Sequence, residues 1–442
     1  MTNTQSPPLP LSPSPPLETD LRTYRPSDLE SLPADFVWPR YEGLSVGNLA
    51  ATMAGALGAT LPGALPPLRA DLLNGMLDGV RRVVLVVIDA LGWEQLRWVM
   101  DNDADSPFHR LAEQGRLLPL TTVSPSTTTN VLSTIWSGFA PVQHGQLAYE
   151  MWLREWLMVV ESIAFSSPHE AFKRTLMRWG FEPEKFQPIP AIGEQLAAQG
   201  VPGYALTFKE FVDSPLSRMN HRGMAEVYKY STNSDFWVTL RRTLMEYHTA
   251  PRALFTGYLC EVDTLAHAWG PFDETGDAEI RTLGWQIEEV FLKQLPAAAR
   301  EGTLLLLTAD HGQLATPPSA MIPLNAHPQL YDALVIPPVG EARVPFFYIR
   351  HGHYDAVWEY LHTHLAEQFV FMSQEEVLQT GLLGPGEMYA EVPHRLGDII
   401  GFAKGRHYLA HNLEKSAKTL GRHGGLHAQE MLVPLLALRL DG

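Results

Sequence analysis

The chain has 442 residues, 45% of them hydrophobic, with 33 Lys and Arg against 49 Asp and Glu. A formal net charge of −16 excludes a long nucleic-acid footprint, which needs clustered basic side chains, but not a small phosphate substrate, because bound cations can invert the local charge. The single cysteine, Cys260, excludes a disulfide framework within the chain and fits a reducing compartment.

Residues 1–40 read as a tail and an arm. The stretch MTNTQSPPLPLSPSPPLETD is rich in Pro and Ser and lacks a basic n-region and an apolar h-region. It is expected to be a disordered, partly extended tail, not a secretory leader. A short helix is predicted around 45–57. The first clear strand is Arg82–Ile88, a near-continuous β-branched run of the kind buried on both faces of a parallel sheet; it ends before Asp89. A hydroxyl-rich run, SPSTTTN, then brings Thr127, Thr128 and Thr129 to the start of a helix predicted over 129–136. The free amides and positive end of that helix favour a phosphate.

Residues 146–187, rich in Trp, Met and Phe, are read as a cap. A helix over 191–199 stops at Gly200 and feeds a short strand at 203–207. A helix over 235–247 leads into the strand Ala253–Leu259, and a helix over 278–295 leads into the strand Thr303–Thr308. This alternation predicts a doubly wound, mostly parallel α/β sheet flanked by helices. Residues 315–391, with Pro-rich loops, a strand at 344–349 and a helix at 354–368, are read as a smaller α/β lobe. One domain over 41–442 would then carry two insertions. No apolar run reaches the length needed to span a bilayer, and a cytoplasmic setting is expected.

In an open α/β sheet, ligands bind beyond the carboxyl ends of the strands. Three apolar runs end there on acid: VVLVVIDALG with Asp89, LCEVDTLAHAWGP with Asp263 and His267, and LLLLTADHG with Asp310 and His311. Near the end, GRHGG adds His423 between glycines. Three carboxylates and three imidazoles suffice for two divalent ions. Ligands without thiolate suit zinc or manganese, and two ions about 3.5–4 Å apart can clamp an in-line displacement. A threonine hydroxyl becomes a competent nucleophile when a metal lowers its pKa. Any one of these features alone reads as a turn or capping residue; their joint occurrence at strand and helix ends does not.

These motifs resemble the alkaline phosphatase superfamily, and within it the type I phosphodiesterase/nucleotide pyrophosphatase family. The resemblance rests on Asp89, on PSTTTNVLSTIWSGFAPVQHG, on EVDTLAHAWGP, on ADHG and on RHGG. It implies two zinc ions and a covalent phosphothreonine intermediate. The family nucleophile lies three residues after the motif proline, here Pro125, which points to Thr128. Asp89, Asp310 and His311 would hold the metal that also touches Thr128, and Asp263, His267 and His423 the other. The asparagine that contacts phosphate in the eukaryotic members stands three residues after the nucleophile; that position is Val131 here, with Asn130 one residue earlier as the substitute.

The resemblance therefore implies metal-dependent hydrolysis of phosphodiester or nucleotide pyrophosphate bonds, with a small phosphate ester or nucleotide as substrate. The alternatives are a phosphomonoesterase, which needs an added cationic clamp near Thr128, and a non-catalytic interaction protein that kept the fold. A sulfatase is disfavoured because Cys260 lies far from Thr128. A cofactor-independent phosphoglycerate mutase is disfavoured because it uses serine there. His144 is read as a turn residue and Cys260 as inert core. Tyr149, Trp152 and Trp156 are read as cap packing. The stretch Lys404, Arg406, Lys415, Lys418 and Arg422 is read as a solvated face.

Overall fold

The computed structural model describes residues 15–441, apart from 27–28, 30–31 and 169–173. Its centre is a seven-stranded sheet in the order Arg116–Thr121, Leu432–Arg439, Thr303–Thr308, Arg82–Ile88, Ala253–Leu259, Gly203–Phe208 and Glu226–Tyr230. Leu432–Arg439 runs antiparallel to both neighbours, and the remaining pairs are parallel. All seven residues of Arg82–Ile88 are buried, as a strand covered by helices on both faces requires. The chain thus has the expected doubly wound α/β architecture. In-register pairing of Ile88 with Leu259 and of Val87 with Thr308 makes three central strands stop at nearly one level. Their next residues fall on one edge of the sheet.

A second sheet of six antiparallel strands lies in the order Phe369–Ser373, Ile399–Ala403, Val344–Phe347, Val339–Glu341, Glu150–Leu153 and Met158–Glu161. Residues expected as a separate cap and lobe therefore share one sheet, joined where Gly340 pairs with Glu150. Pairing between segments so distant in sequence leaves no local periodic signal, so the two parts read as unrelated.

Residues 1–14 of the expected tail lie outside the described residues. Two described segments beyond them pack into the core. Helix Pro16–Thr23 starts on Pro at its first position, where the missing N–H costs nothing. Its Glu18 accepts hydrogen bonds from Trp93 Nε1 and Arg97 Nη1, each at 2.8 Å. Phe36, Val37 and Trp38 are buried, and Val37 N donates to Leu426 O at 2.7 Å. The apolar FVW run, absent from the Pro- and Ser-rich stretch before it, makes this arm part of the core.

Candidate active site

Five changes of backbone direction deliver the candidate side chains to the sheet edge. After Ile88 the chain bends at Ala90, which has φ 60°, and Asp89 is left at the strand end. After Leu259, helix Glu261–Trp269 begins at once, so Asp263 and His267 sit one turn apart on the same face. Thr127 is extended and precedes helix Thr128–Ile135, which puts Thr128 at the first helical position. Gly312 follows His311 for reasons of space: a Cβ there would meet Gln429 O at 2.1 Å and Gly92 Cα at 2.8 Å. The loop carrying His423 returns beside it, with Gly424 at φ 109°, a conformation that suits glycine.

All three imidazoles are anchored in the same way. Nδ1 of His267 donates to Gly421 O at 2.8 Å, Nδ1 of His311 to Gly312 O at 3.1 Å, and Nδ1 of His423 to Ser126 O at 3.1 Å. A carbonyl only accepts, so each Nδ1 carries a proton and each Nε2 is the nitrogen left to point into the site. Those Nε2 atoms face carboxylates: His267 to Asp263 Oδ1 at 3.3 Å, His423 to the same oxygen at 3.9 Å, and His311 to Asp89 Oδ1 at 3.4 Å and Asp310 Oδ2 at 3.5 Å. The Thr128 hydroxyl lies 3.1 Å from His311 Nε2.

The ligand atoms of Asp89, Asp310 and His311 lie within 4.8 Å of one another, as do those of Asp263, His311 and His423. The first group is the one implied by the resemblance. In the second, His311 stands where His267 was expected, because the rings of His311 and His423 stack at 3.8 Å. His267 joins through Asp263.

The carboxylates are only half satisfied. Asp89 Oδ2 accepts from the Tyr258 hydroxyl, and Asp310 Oδ1 accepts from Ala90 N at 3.1 Å and His311 N at 2.9 Å. Asp89 Oδ1 and Asp310 Oδ2 are buried and accept no hydrogen bond among the described residues. Burial pushes the Asp89 carboxyl well above its usual range, and the nearby Asp310 and Asp263 reinforce this. Burial, with His311 and His267 alongside, holds His423 well below the usual imidazole range. Buried carboxylate oxygens without hydrogen-bond partners, faced by imidazole Nε2 atoms, are the donor set a divalent cation needs, so the residues present fit a metal.

Thr128 and the Asp263–His423 side open on a cavity of about 500 Å³. Asn130 does not face it. Residue 130 lies about 200° round the helix from Thr128; it is fully buried, and its amide nitrogen donates to Pro125 O at 2.7 Å. The expected phosphate contact from Asn130 is not available there.

Sequence reasoning missed four residues. Gln313 donates to Asp263 Oδ1 and directly follows ADHG, the one signal that could have marked it. Tyr258 caps Asp89 from the next strand. Glu430 accepts from Gly425 N at 2.8 Å through its carboxylate and from Gly312 N at 2.9 Å through its carbonyl. One residue thus ties the His423 loop to the His311 loop. Glu341, partly accessible through the cavity, accepts from Thr127 Oγ1 at 2.6 Å. Burial pushes its carboxyl up to about 8, against the pull of hydrogen bonds from Thr127 and Tyr149.

Residues set aside in the sequence divide. His144 uses both ring nitrogens internally, on Thr134 Oγ1 at 2.9 Å and Gln146 N at 3.0 Å. Trp156 packs edge-on to Phe181, as cap packing requires, whereas Tyr149 lines the cavity. Cys260 stands just beyond its strand, at the start of helix Glu261–Trp269. Arg422 is not on a solvated face: it is buried, lies 3.6 Å over the Tyr408 ring, and donates to Thr316, Thr419 and Ser416.

A family model described as type I phosphodiesterase / nucleotide pyrophosphatase matches residues 83–426. No curated protein matches the chain. Among solved structures, an inactive variant of murine ectonucleotide pyrophosphatase / phosphodiesterase 5 in complex with AMP is similar at 18% identity and a TM-score of 0.62, over 82% of this chain and 90% of that one. The human ectonucleotide pyrophosphatase / phosphodiesterase 5 is similar at 20% identity and 0.61, over 80% and 87%. Phosphonoacetate hydrolase from Sinorhizobium meliloti 1021, in complex with phosphonoformate, is similar at 17% identity and 0.60, over 81% and 90%. Likeness at these identities shows a shared fold.

Proposed function

The chain belongs to the type I phosphodiesterase / nucleotide pyrophosphatase family, and from that premise we propose that it hydrolyses a phosphodiester or nucleotide pyrophosphate bond through a covalent intermediate on Thr128, with two divalent metal ions, zinc or manganese, as cofactors. The observation that carries this reading is the shared anchoring of His267, His311 and His423. Each fixes its proton on a backbone carbonyl and turns its free nitrogen toward Asp89, Asp263 or Asp310.

In this reading Asp89, Asp310 and His311 hold one ion, and Asp263, His267 and His423 the other. When bound, the ions lower the pKa of a hydroxyl and stabilise negative charge on the phosphoryl oxygens. The chain's own groups do the rest. The first turn of helix Thr128–Ile135 directs unpaired amides at the phosphate. Thr128 Oγ1, having given its proton to solvent water, attacks phosphorus, and the alcohol or phosphate on the far side leaves with the bond electrons and takes up a proton from water. Water then cleaves the threonine ester and restores the hydroxyl. Gln313 and Tyr258 hold the Asp263 and Asp89 carboxylates in register, as outer partners of metal ligands do.

A diester reading is favoured over a monoester one by charge. A monoester carries more negative charge and needs a further cation. Of the basic residues lining the described cavity, Arg422 is fixed by internal bonds and Lys415 lies 3.8 Å from Glu161. Metal-loaded protein should cleave a bis(4-nitrophenyl) ester faster than the mono ester, chelation should stop it, and acid quench of the bis ester reaction should trap a 4-nitrophenyl phosphoryl group on the peptide carrying Thr128. Turnover that survives both chelation and Thr128→Ala would contradict the proposal.

A further inference from the structure

The cavity on Thr128 holds more acid than the six candidate ligands explain. Glu341 and Glu150 line it together with Tyr149. Glu341 is pinned next to the nucleophile: its Oε1 accepts from Thr127 Oγ1 at 2.6 Å and from Tyr149 N at 3.1 Å. Its Oε2 takes no hydrogen bond, and no Arg or Lys pairs with the carboxylate, among the described residues. The wall also carries the apolar Ile163, Val339 and Leu409, and Lys415 lies on the Glu150 side, where its charge acts on that carboxyl.

Holding Thr127 and Tyr149 N does not require charge. A glutamine oxygen at position 341 would accept both bonds and would avoid desolvating a carboxylate. An acid kept in such a place instead of an amide, with a free oxygen open to a cavity, marks a site that meets a cation or strong donor brought by the ligand, which would hold the group ionised. Tyr149, whose N–H holds the carboxylate, lines the same cavity. Thr127 and Thr128 are consecutive, with Cα atoms about 3.8 Å apart. The carboxylate therefore sits a short linker away from the reacting phosphorus.

Resting on the phosphodiesterase reading above, we propose that the site selects phosphodiesters whose non-reacting alcohol carries a cationic amine, received by Glu341 with Tyr149 and Glu150. Such a substrate is a zwitterion. Its phosphate meets the cation-binding side of the site, and its ammonium meets the acidic wall.

The test compares two esters with one leaving group on zinc-loaded full-length protein: 4-nitrophenyl 2-aminoethyl phosphate and 4-nitrophenyl ethyl phosphate. We expect kcat/KM to favour the aminoethyl ester by about 10-fold or more, and Glu341→Gln to collapse that ratio toward one. A ratio taken within one preparation cancels any loss of folded or loaded protein. A 2-(trimethylammonio)ethyl ester separates the two sources of attraction: equal preference assigns it to charge, and a lower one to N–H donation. Equal rates for the aminoethyl and ethyl esters in the parent protein would overturn the inference, as would a preference that survives Glu341→Gln. If no ester turns over, the hydrolytic reading fails by itself, and calorimetric binding of 2-aminoethyl methylphosphonate against ethyl methylphosphonate decides the inference. Tighter binding of the amine supports it, and equal binding overturns it.

Discussion

The two sheets of this protein meet at one cavity and bring opposite things to it. The parallel sheet supplies groups with a fixed job: Asp89, Asp263 and Asp310 leave its strand ends, and Thr128, His311 and His423 meet them there. The antiparallel sheet supplies Glu341, Tyr149 and Glu150, none of which belongs to the ligand set. In the proposed reading, chemistry is anchored at the ends of buried strands, while the surface that would meet the rest of the substrate is assembled from two segments distant in sequence. Such a division lets a reaction persist while its substrate changes. The sheets are also physically coupled. Arg343, fully buried, sits two residues after Glu341 and donates to Glu430 at 2.8 and 2.7 Å, and Glu430 holds both the His311 and His423 loops.

The largest effect should come from the reacting hydroxyl. Thr128→Ala is expected to cut ester turnover by ~10³-fold or more, while calorimetry still finds the amine-bearing phosphonate bound more tightly than the ethyl one. If the variant loses that binding preference too, chemistry and selectivity are not separable between the sheets. Next is Asp263→Ala, which removes the carboxylate faced by two imidazoles. Turnover should fall by more than the ~10–100-fold typical of losing an outer partner, and elemental analysis should show fewer ions per chain. A full metal complement would deny Asp263 its role.

Arg343→Met addresses the coupling itself. It leaves Glu430 buried and unpaired, which costs about 3–5 kcal/mol in a urea titration. It should also weaken metal affinity by ~10–100-fold, although Arg343 touches no ligand. Lost stability with unchanged affinity would mean the two sheets share a core but not a site.

The smallest effect is on pH dependence. Burial raises the Glu341 carboxyl from 4.5 to about 8. Between those values the unfolded chain gives up the proton while the folded one keeps it, so this group's contribution to stability falls as pH rises through the window. In metal-free protein, Glu341→Gln and the parent should melt alike near pH ~4, and the variant should melt a few degrees higher by pH ~8. A gap that opens toward acid instead would reverse the assigned sign.

The difference between the sheets also explains what the sequence revealed. RVVLVVI, ALFTGYL and TLLLLT are continuous apolar runs that stop on acid, so strand, burial and site share one local pattern. The three carboxylates could be placed at one sheet edge for that reason, whereas Thr128 and His423 rested on separate hydroxyl-rich and glycine-flanked motifs. Glu341 ends a three-residue strand in a Pro-rich stretch, and its importance comes from Thr127, 214 residues away. Neither periodicity nor spacing encodes that contact. Asn130 is the opposite case: its type suits a phosphate contact, but two residues along the helix from Thr128 its side chain is buried and donates to Pro125 O. The arm around Phe36–Val37–Trp38 was hidden by the Pro- and Ser-rich composition of its neighbours.

The central claim is that Asp89, Asp263, Asp310, His267, His311 and His423 form a two-ion centre bearing on Thr128. Anomalous diffraction from zinc-loaded crystals tests it most directly. Two peaks are expected, one among Asp89, Asp310 and His311 within reach of Thr128 Oγ1, and one among Asp263, His267 and His423. Peaks elsewhere on the molecule, with these carboxylates left empty, would contradict it.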